Sequence, residues 1–172
     1  MNKNQNLTTR EQLQQKFNTS RMNLLLMMAL TVVNIVLFFA GSESMMLFSA
    51  SIPYFAVIFG ATIEIPVLAI ICYVIAGLTV VGYLLCWLLS KKRYGWLIPA
   101  LVLFIFDTLA MGGMYLWVGD FSGILDVLMH AWVLYYLIVG ISSGKKLKNL
   151  LVEEEETLVE EPVKADPEHW AE

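Results

Sequence analysis

Charge is scarce in this sequence. Of 172 residues only 15% are Asp, Glu, Lys or Arg, whereas 58% are hydrophobic and the mean hydropathy is +0.68. A soluble domain of this length needs more polar surface, which excludes a water-soluble globule. Cysteine is nearly absent. Cys72 and Cys86 are the only two, and on one helix they stand about 21 Å apart, too far for a disulfide. Without C-x-x-C spacing they also argue against a dithiol oxidoreductase, and burial as small hydrophobes accounts for both. Histidine occurs only at His130 and His169. No H-E-x-x-H is present, and one membrane-embedded His excludes bis-histidine haem within a single chain. One His and two Asp are too few for a metal. No metal, cofactor or nucleic-acid partner is expected. Gly140-x-Ser142-x-Gly144 fits the nucleophile-elbow spacing, but it sits at a helix end with no strand before it. Asp107 and Asp126 lack the glycine-rich context of an intramembrane aspartyl pair.

What is present is four long apolar runs and an uneven distribution of bases. The runs give spans at about residues 22–40, 67–89, 96–118 and 123–141, each near the length needed to cross a bilayer. Lys3, Arg10, Lys16 and Arg21 precede the first run. Lys91, Lys92 and Arg93 separate the second and third, and Lys145, Lys146, Lys148 and Lys164 follow the fourth. The connections after runs one and three carry only the acids Glu43, Glu64 and Asp120. Cationic loops stay in the cytoplasm, so both termini are expected there. The fold class is all-α: an integral membrane four-helix bundle. Residues 1–21 form a cytoplasmic N-terminal segment and residues 22–144 the membrane domain. Residues 145–172 read as a basic, then acidic, disordered cytoplasmic tail, because nine of the 15 acids lie after residue 152 among few apolar residues.

Pro66 and Pro99 fall in first helical turns, where a missing N–H does little harm. Trp87, Tyr94 and Trp96 form an inner aromatic belt, and Tyr115 and Trp117 part of an outer one. Residues 45–63 are apolar and nearly long enough to span. Spanning would turn Lys91, Lys92 and Arg93 outward and force a reversal within residues 64–67. The segment is therefore expected to be an outer interfacial or re-entrant element, broken near Pro53.

Three ionisable side chains fall inside the spans: Asp107, Asp126 and His130. A charge at mid-bilayer costs about 2.5–3.5 kcal/mol on insertion scales, so each is a functional candidate. Asp126 and His130 share a helix face at i, i+4, and the short connection after Val118 makes their helix the antiparallel neighbour of the one bearing Asp107. With Glu64 at the outer mouth, the order Glu64, Asp126, His130, Asp107 describes a polar line descending from outside. It suits either an ion, proton or small-ligand site, or hydrogen bonds that lock the bundle. Lys145, Lys146 and Lys148, with Lys91, Lys92 and Arg93, set topology and attract anionic headgroups. Gly77 and Gly82 in the second span and Gly112 and Gly113 in the third allow close helix approach but do not form G-x-x-x-G, so they do not signal dimerisation.

The run Ser20-Arg-Met-Asn-Leu-Leu-Leu, followed by Leu47-Phe-Ser-Ala-Ser-Ile-Pro-Tyr54, resembles small multi-span membrane proteins of Gram-positive bacteria that have no assigned activity. The resemblance covers the first third of the chain and implies a bacterial plasma membrane, but no mechanism. Small multidrug transporters also have four spans, but they carry a Glu in span one; here that span has no acid, and Asn34 is its only strongly polar residue. A non-enzymatic accessory or regulatory component is the expected class, with the lipid bilayer and a membrane-protein partner or second copy as its contacts. A small ion- or proton-coupled transporter is the alternative. Topology is directly measurable. In a chain with both cysteines replaced by Ala, Glu64→Cys should react with a membrane-impermeant maleimide on intact cells, and Lys92→Cys only after permeabilisation. Labelling of position 92 on intact cells would mean that residues 45–63 span.

Overall fold

The computed structural model describes residues 3–42, 48–119 and 124–160. The start of the segment read as interfacial (45–47), Glu43, the connection at 120–123 with Asp120, and the tail from 161 onward lie outside them. The apolar runs are helices: α1 (Lys3–Phe39), α3 (Pro66–Ser90), α4 (Leu97–Val118) and α5 (Ile124–Glu160), with a shorter α2 (Ser51–Thr62) between the first two. A 3-10 turn at Tyr94–Trp96 joins α3 to α4. No strand occurs among the described residues. The all-α bundle is as expected, and four of its helices are long and apolar enough to cross a membrane.

Burial follows seams of alternating three- and four-residue spacing. On α1 the seam is Phe17, Ser20, Leu24, Met27, Thr31 and Asn34. On α4 it is Leu97, Ala100, Phe104, Asp107 and Met111, and on α5 Asp126, His130, Val133, Leu137 and Gly140. This is the period at which one helical stripe meets its neighbours. Polar residues occupy seam positions, whereas Leu116 and Trp117 are 75% and 90% exposed. An apolar exterior around a partly polar interior suits lipid as the solvent.

Helix extends beyond the apolar runs at both ends, and at the C-terminal end this changes the expectation of a disordered tail. Span one is the latter part of a 37-residue helix that already begins at Lys3. Nor does the fourth helix stop at residue 144: it runs 37 residues, to Glu160. Each is about 56 Å long against a hydrocarbon core of about 30 Å, so both project well beyond it. The region read as disordered is thus helical through residue 160. It has too few apolar residues to fold alone, but it extends a helix already nucleated in the bundle, and propagation costs far less than nucleation. It also leans on α1: Arg10 meets Glu154 at 3.6 Å. That pair is half-exposed and worth little by itself.

The described bases Arg21, Lys91, Lys92, Arg93 and Lys148 gather at one end. There Arg21 donates from Nε to Ser90 Oγ (2.9 Å) and from Nη2 to the Trp87 carbonyl (3.3 Å), satisfying the C-terminal end of α3. Its guanidinium also lies over the Phe17 and Trp87 rings. α1 and α5 approach closely because Gly140 faces Ser20, whose hydroxyl donates to the Tyr136 carbonyl. Gly144 likewise faces Tyr94. A Cβ at either glycine would collide with its neighbour, while Gly112 and Gly113 face open space. Gly140→Ala and Gly144→Ala should each destabilise the detergent-solubilised protein by about 1–3 kcal/mol. Gly112→Ala and Gly113→Ala should be neutral or slightly stabilising. Equal melting temperatures for all four variants would contradict this packing.

Candidate functional site: an Asp–His centre at a buried helix start

The site is built around the first turn of α2. A helix begins with N–H groups that have no partner of its own. Here the N-cap is Ala50, which has no side-chain acceptor, and Ala50 and Ser51 are 0% and 1% exposed. Neither water nor a local cap is available, so other helices supply the acceptors. The Ala50 N–H donates to Thr31 Oγ1 of α1 at 2.8 Å, and that hydroxyl donates onward to the Met27 carbonyl at 2.8 Å. The Ser51 and Ile52 N–H groups donate to the two oxygens of Asp107, at 2.8 Å to Oδ2 and 2.6 Å to Oδ1. The next residue is Pro53, which has no N–H to satisfy. Just upstream, Asn34 Nδ2 donates to Ser49 Oγ at 2.8 Å. Every backbone donor of this buried first turn is thereby met. The positive end of the α2 dipole also faces a carboxylate, a favourable arrangement.

This geometry fixes where the described part of residues 45–63 lies relative to the other helices. In the described part, α2 starts deep in the bundle, against residues midway along α1 and α4. It then runs to the turn that leads into α3. The described part of the segment therefore packs into the bundle at its helix start. Irregular backbone is tolerated at such depth only when protein covers it, and Ser49 and Ala50 are fully buried. Phe48, which leads in, has φ of +71°, a conformation costly for an aromatic residue and held by its surroundings.

The second ligand of Asp107 is His130. Its Nε2 lies 3.1 Å from Asp107 Oδ2 and 3.4 Å from Ser51 Oγ. Its Nδ1 lies 2.9 Å from the Asp126 backbone carbonyl. A carbonyl only accepts, so Nδ1 carries a hydrogen. A hydrogen bond between Nε2 and Oδ2 then needs one proton, held by either the imidazole or the carboxyl. Phe104 stacks on the imidazole, with ring centroids 4.9 Å apart and planes at 12°, fixing its orientation. His130 and Asp107 are 1% and 0% exposed.

Asp126 sits one turn away. Tyr115 Oη donates to its Oδ2 at 3.3 Å, while Oδ1 has no hydrogen-bond partner among the described residues. That oxygen stands 3.8 Å from His130 Nδ1, which is already committed to the carbonyl. Of the four residues read as a descending line, Asp126, His130 and Asp107 converge. Glu64 does not: it is exposed in the turn between α2 and α3 and makes none of these hydrogen bonds. No group of three or more His, Cys, Asp or Glu suited to a metal occurs among the described residues. The arrangement can hold a proton between Asp107 and His130 and clamp α2. It offers no exposed ligating atom to a solute.

Sequence reasoning did not find Ser49, Ser51, Thr31, Phe104 or Tyr115. A signal existed for Thr31, which lies three residues before Asn34 on the same face. For the α2 start the signal is Ser-Ala-Ser-Ile-Pro, a helix opening with Pro in its first turn but no carboxylate of its own. No protein family, curated protein or solved structure matches this chain.

Removing one partner of a buried ion pair costs about 3–5 kcal/mol. Asp107→Ala should therefore lower stability in detergent by that amount. Asp126→Asn, which keeps an acceptor for Tyr115 and loses no other bond, should stay within about 1 kcal/mol. A neutral Asp107→Ala would contradict the clamp.

Proposed function

We propose that this chain is a multi-pass protein of a bacterial plasma membrane, with both termini in the cytoplasm, acting as a non-enzymatic accessory or regulatory component. The observation that carries the reading is the saturation of Asp107. The carboxylate midway along α4 is engaged by two backbone N–H groups and His130, all from the same chain. The costliest polar group thus serves the fold, leaving the projecting parts of α1 and α5 as the surface for a protein partner. Gathering of these described bases at one end supports the orientation. In a mild-detergent isolation of tagged protein at native level, a partner should co-purify in fixed stoichiometry and be lost when residues 153–172 are deleted. A homo-oligomer with no partner would contradict the accessory role.

A second reading, proton-coupled transport, is favoured by one observation. Among the described residues the buried Asp126 Oδ1 has no hydrogen-bond partner, and it lies beside a histidine hydrogen-bonded to Asp107. Carboxylates and imidazole in this order suit a proton relay. Purified protein in liposomes distinguishes the readings. Proton flux that disappears in Asp126→Asn, with the melting temperature unchanged, supports transport. Absence of flux in the unaltered protein removes that reading.

A further inference from the structure

We propose that the basic end of the bundle contains a built site for a phosphate-bearing anion, and that its occupant is the headgroup of an anionic phospholipid. A cavity of about 800 Å³ opens where three parts of the chain meet: the cytoplasm-directed part of α1, the α3–α4 turn, and α5 just beyond Gly144. Lys91, Lys92, Arg93 and Lys148 line one part of it, and Phe17, Tyr94 and Leu147 another. Among the described residues no carboxylate lies within 4 Å of any of these four cations, the pair Arg10 with Glu154 lying elsewhere. Four like charges around one cavity repel, and an anion from outside relieves that repulsion. Contiguous Lys and Arg at a span end can be explained by topology alone. That explanation requires no cavity and does not bring Lys148 to the same cavity as Lys92.

The source of the anion follows from position. Ser90 ends α3 and also lines the cavity, and Trp87 and Tyr94 mark the aromatic belt, so the cavity lies at headgroup depth. A soluble phosphate would use only the cations. A phospholipid uses both halves, with its phosphate on the bases and its glycerol and first methylenes on Phe17, Tyr94 and Leu147.

Lys145 and Lys146 supply the control. They are exposed and adjacent in sequence but do not line the cavity. Binding of phosphatidylglycerol, phosphatidylcholine and glycerol 3-phosphate to the full-length detergent-solubilised protein can be quantified by native mass spectrometry. Lys92→Gln/Lys148→Gln should weaken phosphatidylglycerol binding about thirtyfold, at about 1 kcal/mol per base. Lys145→Gln/Lys146→Gln should change it less than about threefold on the same scale. Lys92→Arg/Lys148→Arg should retain binding, which separates charge from fold. Equal losses from the two Gln pairs would overturn the site in favour of diffuse attraction, as would equal binding of phosphatidylcholine. Glycerol 3-phosphate binding as tightly as phosphatidylglycerol would overturn the lipid as occupant.

Discussion

A helix that starts inside a bundle of membrane-type helices needs acceptors for its first N–H groups, and most features of this protein follow from how that need is met. Unpaired donors in a bilayer core cost several kcal/mol each. The first turn of α2 has none of its own acceptors, water is excluded, and Ala50 cannot cap. Asp107 from α4 accepts two of these donors and Thr31 from α1 a third, while Pro53 removes the next. One carboxylate therefore fixes three things at once: the depth of α2, the register of α4 against it, and the position of His130. The burial of Asp107 is offset by a helix dipole, two backbone donors and an imidazole. This is how a charge-bearing group can be retained at that depth.

The same principle orders the rest of the bundle. On the seams Thr31, Asn34, Asp107 and His130 point into the bundle and are hydrogen-bonded there, while many large apolar side chains face outward. Where the helices leave the apolar zone, the chemistry changes. Arg21 satisfies the end of α3, small residues let α1 and α5 touch, and these two helices continue together beyond the bundle. Rigid centre and projecting helix pair are thus joined by continuous helix, which gives events at one a mechanical route to the other.

The number of apolar helices was legible in the sequence because length and hydropathy alone determine it. The convergence of Asp107, Asp126 and His130 was partly legible: i, i+4 spacing put two on one face, and a short connection made α4 and α5 neighbours. Glu64 was misread because depth along the chain was taken as proximity, although nothing in the sequence turns its side chain inward. The role of Asp107 as a helix cap was not legible. Its partners are backbone N–H groups 55 and 56 positions away, and backbone donors have no residue code. The helical stretch through residue 160 was missed for a related reason. Composition measures whether a segment folds alone, and this one folds as the extension of another helix.

The most direct test of the buried start of α2 is a disulfide between Thr31→Cys and Ala50→Cys in a chain whose native cysteines are Ala. The Ala50 amide lies 2.8 Å from the Thr31 hydroxyl, so the new cysteines should cross-link rapidly in membranes. Adding Asp107→Asn should slow the reaction, since α2 then loses its clamp. An α2 lying on the membrane surface would keep the two positions far apart. Absence of the cross-link, or a rate indifferent to Asp107, would contradict the account.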